Sequence, residues 1–440
     1  MRADNEVKAW VVSADMGLGH QRAAHALRDI AEGGIITAGT RESTSSEEYE
    51  LWLRIRQLYE FISRSRDIPL VGRRIFWLLD QVEQIPSFHP FRDLSRPSLE
   101  VKLLHYLIRK GLGTDLMAHL RTKNLPLVTT FYAPAVVADL HGYERVYSFI
   151  SDADMHRVYV AQDPRRSQIH YLTTCEHAAR RLKAYGVPEE RIFITGWLLP
   201  KENIGTLEGM EILRRDVARR LFRLDPGDRF WPLHRKEAEH FLSSENLDRE
   251  DQRPFTVTFA VGGAGAQVDI GWSILRSLRE RILAGEMRVN LVAGIRPEVA
   301  ASFRRCIDDL GLQTQIGQGV DILYDAHMSR YFDRFNQLMR VTDVLWTKPS
   351  ELSFYCGLGI PIIMAPPLGP QEEFNRKWLL EVQGGIDQDA PRFAHEWLWD
   401  LLWKGRLAES AWDGYLKARK LGTYKAEELI RTGTMRDEYT

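Results

Sequence analysis

Residues 9–27, AWVVSADMGLGHQRAAHAL, run from an apolar strand through two glycines into an alanine-rich helix, with His20 at the turn. Val7, Ala9, Trp10, Val11 and Val12 supply the strand character, and Ala23, Leu27, Ile30 and Ala31 recur at helical spacing beyond it. Gly17 and Gly19 permit a tight turn and a close backbone approach. The helix start therefore offers unsatisfied N–H groups to an anion such as phosphate, with His20 beside it as a candidate general base. A plain strand-to-helix turn capped by His20 would read the same way. A dinucleotide fingerprint needs a third glycine and an acid about 20 residues on. Only two glycines are present and Glu42 lies in a polar stretch, which speaks against a nicotinamide cofactor.

The strand-to-helix alternation continues along the chain. Strands are expected at Val7–Ala14, Leu125–Thr130, Val146–Ile150, Ile169–Thr173, Ile192–Thr195, Phe255–Val261, Val289–Ala293, Val344–Thr347 and Pro361–Ala365. Such alternation implies α/β architecture with parallel sheets and crossover helices. At 440 residues the chain exceeds what one core usually serves, so two doubly wound, Rossmann-like domains are expected, with a cleft lined by the carboxyl ends of their strands. Residues 201–254 are dense in charge, contain Asp225-Pro226-Gly227-Asp228 and show no strand, and are read as a linker with a charged helical insertion. Residues 390–440 carry Trp397, Leu398, Leu401, Leu402 and Trp403 at helical spacing and are read as C-terminal helices.

Composition narrows the function. Hydrophobic residues make up 44% and charged residues 27%, and the net charge of −1 gives no bulk positive field for nucleic acid. Cys175, Cys306 and Cys356 are widely separated and form no C-x-x-C pair, which argues against disulfides or a zinc site and predicts free, buried thiols of a reducing compartment. No apolar leader opens the sequence and no run approaches the ~20 apolar residues of a membrane span, so a cytoplasmic location is expected.

The second half carries sharper motifs. After the strand FTVTFAV comes GGAGAQ, so Gly262, Gly263 and Gly265 form a second glycine-rich turn feeding a helix that starts near Gln267, again a phosphate cradle by geometry. Downstream, Thr347, Lys348, Ser350 and Glu351 follow one strand, and Gln371, Glu372 and Asn375 follow the next. Neighbouring strand ends would point these groups into one crevice, where carboxylates and amides suit sugar hydroxyls and Lys348 suits phosphate.

Four segments in order now resemble one family: SADMGLGH, then FISDADMH with YLTTCEHAARRLKAYGVPEERIFITG, then VGGAGAQ, then TKPSEL with GLGIPIIMAPPLGPQEEFN. Together they are similar to the GT-B glycosyltransferases, in particular the group of monogalactosyldiacylglycerol synthases and the lipid-linked N-acetylglucosaminyltransferase of peptidoglycan assembly. The resemblance implies an acceptor-side domain over 1–200, a nucleotide-sugar domain over 255–389, and transfer from a nucleotide diphosphate sugar, with UDP expected. It places His20 at the acceptor. It assigns the donor to Gly262, Gly263, Gly265, Lys348, Ser350, Gln371, Glu372 and Asn375, with Gly17, Gly19, Gln267 and Glu351 as further donor candidates. The family's ribose-gripping glutamate falls at Phe354 here, so the nucleoside stays open. A nucleotide-sugar 2-epimerase and a catalytically degenerate binding protein are the alternatives on the same scaffold.

Asp152 and Asp154 in SDADMH could be read as a metal-binding acid pair, but that reading is disfavoured; Asp152 and His156 are read as cleft-lining residues on the acceptor side, and neither metal nor cofactor is expected. Residues 51–88 alternate large apolar residues with Arg54, Arg56, Arg64, Arg66, Arg73 and Arg74. They suit either an interfacial segment on anionic lipid or a helical hairpin with its arginines in water. In membrane-acting relatives the matching region receives a lipid acceptor, so the expected partners are a nucleotide sugar, a lipid and an anionic membrane surface.

Overall fold

The computed structural model describes residues 7–41, 43–53, 85–247, 253–262, 265 and 267–436. The chain forms two compact units, one of residues 1–198 together with 421–440 and the other of residues 199–420. Each is built on its own six-stranded sheet, and every strand pairing is parallel. The α/β class read from the alternating pattern therefore holds for both halves.

In the first unit the strands are β1 (Trp10–Ala14), β2 (Ile36–Ala38), β3 (Leu127–Thr129), β4 (Val146–Ile150), β5 (Ile169–Thr173) and β6 (Ile192–Ile194), in spatial order β2-β1-β3-β4-β5-β6. β1, β3 and β4 are buried along their whole length, as expected for parallel strands covered on both faces. The order reverses direction between β1 and β3. The helix Gly422–Thr432 completes this unit, with Thr423, Ala426, Leu429 and Ile430 buried. Its first residue packs so tightly that a Cβ on Gly422 would lie 2.1 Å from the Trp197 carbonyl oxygen.

The second unit contains β7 (Phe255–Ala260), β8 (Met287–Gly294), β9 (Val320–Tyr324), β10 (Val344–Thr347), β11 (Ile362–Met364) and β12 (Gly385–Asp387). Their order, β12-β11-β10-β7-β8-β9, is that of a dinucleotide-type doubly wound sheet, with the reversal between β7 and β10.

Of residues 201–254, read as a linker with a charged helical insertion, those described, 201–247, 253 and 254, group with the second unit, and their charges show why. On the helix Glu211–Leu224, Arg220 is fully buried and donates to the carbonyls of Thr342, Leu358, Gly359 and Met339 at 2.7–3.2 Å. Arg223 donates to Asp343 at 2.6 and 2.8 Å, and Asp343 also accepts the Thr256 N–H at 2.9 Å. Asp216 pairs with Arg340 at 2.8 Å. A charge-dense segment is thus part of the unit's interior, because each buried guanidinium finds acceptors.

All three cysteines are free and buried, and burial pushes the Cys175 and Cys306 thiols up to about 11. No helix among the described residues is long and apolar enough to cross a membrane. Of the basic-apolar stretch 51–88, residues 54–84 lie outside the described residues. Its start is held by the Trp52 indole donating to Glu48 at 3.1 Å, and its end by the Arg181 guanidinium donating to the Pro86 carbonyl at 2.6 Å.

Candidate active site

Ligands of open α/β sheets gather outside the carboxyl ends of the strands where the strand order reverses. In the first unit that place lies beyond β1 and β3, and it is where His20 sits. Gly17, with φ 125° and ψ 158°, turns the chain into the helix Leu18–Ala26. A Cβ there would meet nothing within 4 Å, so the dihedral rather than space demands glycine. Gly19 is inside the helix. His20 Nδ1 lies 2.6 Å from the carbonyl oxygen of Thr130, just past β3, while the Thr130 hydroxyl donates to the His20 carbonyl at 2.7 Å. A carbonyl only accepts, so Nδ1 carries the proton and the neutral ring has its lone pair on Nε2. Ser151 Oγ, at the end of β4, stands 3.4 Å from the same Nδ1, and Phe131 meets the ring edge-on at 5.1 Å between centroids. Thr130 and Ser151 were not singled out from sequence. Their signal is positional, since each follows directly on a strand end.

Asp152 follows Ser151 and is partly exposed, its carbonyl accepting the Thr174 hydroxyl at 2.9 Å. His156, also partly exposed, precedes the turn Arg157–Tyr159. Asp154, the second acid of SDADMH, is held by structural bonds. Fully buried, it accepts two hydrogen bonds from Arg181 at 2.7 and 2.8 Å and one from His177 at 2.8 Å. Burial alone would raise its carboxyl, but the bonds from Arg181 and His177 overcome this and hold it below the ordinary value. Its oxygens are occupied by a structural network.

In the second unit the reversal lies between β7 and β10, and the GGAGAQ loop leaves β7 there. Gly265 N–H donates to Gly262 O at 2.8 Å, and Gly265 has φ 70°. Gln267, at φ 67°, precedes the helix Val268–Leu283 and its side-chain amide donates to Pro366 O, past β11, at 2.9 Å. Gly263 lies outside the described residues. Lys348 follows β10 and runs over the loop, so close that a Cβ on Gly262 would lie 2.3 Å from Lys348 Cε. Its ammonium pairs with Glu372 in the first turn of the helix Pro370–Glu381, and the other Glu372 oxygen accepts the Leu368 N–H at 2.7 Å. Thr347 Oγ1 donates to Ala260 O at 3.1 Å and ties the ends of β10 and β7 together. The structure thus brings Gly262, Lys348 and Glu372 to one place, as the adjacent strand ends implied.

Ser350 and Glu351 open the 3-10 helix Glu351–Leu358 and are partly exposed; Gln371 is partly exposed and Asn375 fully buried. Phe354 is only 2% exposed, and its ring packs on Trp378 at 4.5 Å between centroids. At this position the chain has core in place of an acid. Arg296, after β8, escaped the sequence reading. Its Cδ would be 3.1 Å from a Cβ on Gly265, so the loop presses against a second cation.

Residues 305–428 match the model of a domain of unknown function, DUF6938. No curated protein matches the chain. Among solved structures it is similar to MurG of Acinetobacter baumannii, at TM-score 0.49 and 12% identity over 96% of this chain and 99% of that one. A putative UDP-N-acetylglucosamine 2-epimerase from Listeria monocytogenes gives 0.48 and 10% over 99% and 100%. A glycosyltransferase from Rickettsia africae gives 0.40 and 12% over 97% and 98%.

Proposed function

We propose that this protein moves a sugar from a nucleotide diphosphate donor, a UDP-sugar, to an acceptor hydroxyl, without a metal and with inversion at the anomeric carbon. The observation that carries the reading is the His20 tautomer. With Nδ1–H committed to Thr130 O, Nε2 is the atom that takes the proton of an attacking hydroxyl. The acceptor oxygen forms the new bond to the anomeric carbon as the carbon–oxygen bond to phosphate breaks. The electron pair leaves on the nucleoside diphosphate, and the proton ends on His20. The leaving diphosphate is met by the amides at the start of the helix Val268–Leu283 and by Lys348. Glu372 and Gln371 supply acceptors and donors for sugar hydroxyls. Asp152 and His156 serve the acceptor side.

A lipid acceptor, taken at the cytoplasmic face of an anionic membrane, is supported by the alternation of arginines with large apolar residues over 51–88. Flotation with anionic vesicles at low salt tests this part; protein that stays at the bottom has no lipid surface to work on.

The decisive experiment incubates purified protein with UDP-, GDP- and dTDP-sugars, with and without a lipid extract. Nucleoside diphosphate release that requires the extract is the expected result. Release or an epimeric sugar without any acceptor would select the 2-epimerase reading, and binding without release a degenerate one. His20→Ala is expected to keep nucleotide affinity while turnover falls by roughly 10²–10⁴-fold. Unchanged turnover removes His20 from the reaction.

A further inference from the structure

The helix Val268–Leu283 presents Asp269, Trp272 and Arg276 at helical spacing along one side, with Asp269 and Arg276 about 10 Å apart along the axis. These residues line an open cavity of about 650 Å³, together with Ser302 from the helix Pro297–Asp309 and Arg392 and His395 from the segment after β12. Its walls are fixed by side-chain bonds. The Trp272 indole donates to Ser302 Oγ at 3.2 Å. Ser277 Oγ accepts the His395 backbone N–H at 3.0 Å and is hydrogen-bonded to His395 Nδ1 at 2.9 Å.

Within this frame neither the Arg276 nor the Arg392 guanidinium is held by an ion pair among the described residues, and Arg392 lies over the Phe393 ring at 4.9 Å. On the same helix Arg279 donates to Leu310 O at 2.7 Å, and Arg281 pairs with Glu286 at 2.8 Å and lies over the Trp399 ring at 3.9 Å. Arg276 and Arg392 have no carboxylate partner among the described residues, and both are exposed. Two guanidiniums without a carboxylate partner, one from each of two elements lining the cavity, suit a phosphate or carboxylate, and the indole of the same lining offers a face for a flat ring.

We infer that this cavity binds a small organic anion bearing a planar ring, its anionic group held by Arg276 and Arg392, its ring against Trp272 and a donor group at Asp269. The cavity is lined by none of Gly262, Lys348 and Glu372, although Val268 and Asp269 of its lining open the helix whose first amides serve the proposed donor site. The inference is independent of the sugar-transfer reading, and either can fail alone.

The test uses Lys348→Ala protein, which lacks the cation of the glycine-loop site, titrated calorimetrically at low salt with phenyl phosphate, uridine monophosphate and inorganic phosphate. Phenyl phosphate and the nucleotide are expected to bind at one equivalent, more tightly than inorganic phosphate. Adding Arg276→Ala and Arg392→Ala should weaken both by about tenfold or more, the loss of charge-assisted hydrogen bonds. Both side chains are exposed, so the variant keeps its fold, and a melting curve verifies it. Three results would overturn the inference: no binding of either ring-bearing anion, affinities untouched by the arginine substitutions, or equal affinity for inorganic and phenyl phosphate.

Discussion

Gly262→Ala puts a Cβ 2.3 Å from Lys348 Cε, 3.0 Å from Cδ and 3.1 Å from Nζ. Carbon atoms settle at about 3.5–4.0 Å, so the overlap is more than about 1 Å and the lysine stem must swing away, taking its ammonium off Glu372. The clashing atoms are the far end of a flexible chain, so the cost in stability should be near the low end for overpacking, about 1 kcal/mol. Binding should suffer more. If Lys348 holds the diphosphate, its charge-assisted hydrogen bonds are worth about 1.5–3 kcal/mol, which is roughly a ten- to 150-fold loss of affinity. Calorimetry on wild type, Gly262→Ala, Lys348→Ala and the double variant, with whichever of UDP, GDP and dTDP binds wild type best, completes the cycle. Because both changes remove the same cation, the double variant should match Lys348→Ala to within about 0.5 kcal/mol. Additive losses, or a Gly262→Ala protein that binds like wild type, would refute the argument.

Asp154→Asn should cost about 3–5 kcal/mol, because Arg181 is left buried beside a neutral amide. Since the folded carboxyl lies below its ordinary value, its contribution is present above the unfolded pKa of about 3.9 and is lost as pH falls through the folded one. The variant's melting temperature should therefore fall less steeply on acidification than that of wild type. Burial, with Arg214 nearby, lowers Lys420 to about 8, so the unfolded chain binds the extra proton between there and about 10.4. Wild-type stability should gain from this group as pH rises through that window, and Lys420→Met should abolish the gain in pH-dependent melts. Transfer activity should survive chelator and gain nothing from added manganese or magnesium; a metal requirement would remove Lys348 and the helix amides as sufficient leaving-group stabilisers.

The sequence made the inner strands plain because they are buried on both faces and read as unbroken apolar runs. β4, β5 and β10 fall at their expected bounds. The strands it did not reveal, β2, β9 and β12, are all sheet edges. β2 and β12 have only three residues each, and β9, VDILY, carries an aspartate and is partly exposed. Edge position weakens the apolar signal, because one side of the strand meets no neighbour. In the charged stretch 201–254 the sequence shows the helical insertion but not its burial. Arg220 and Arg223 are received by carbonyls and an aspartate far along the sequence, which residue type alone does not reveal. At the site, chain order alone located the glycine turns and Lys348, since each directly follows a strand. The Thr130 carbonyl, which sets the imidazole proton, is main chain and leaves no trace in residue type. Arg296 reaches the glycine loop from a third strand end that held no motif.

The helix Gly422–Thr432 belongs to the first unit although the whole of the second is encoded ahead of it. During synthesis the earlier Rossmann-like body therefore waits, with the backbone at Trp197 uncovered, until some 220 further residues have left the ribosome (199 to 420). Completion of the part that carries His20 is thereby tied to translation of the part that carries Lys348, and a chain cut short after residue 420 would lose the closing piece of the former while leaving the latter whole.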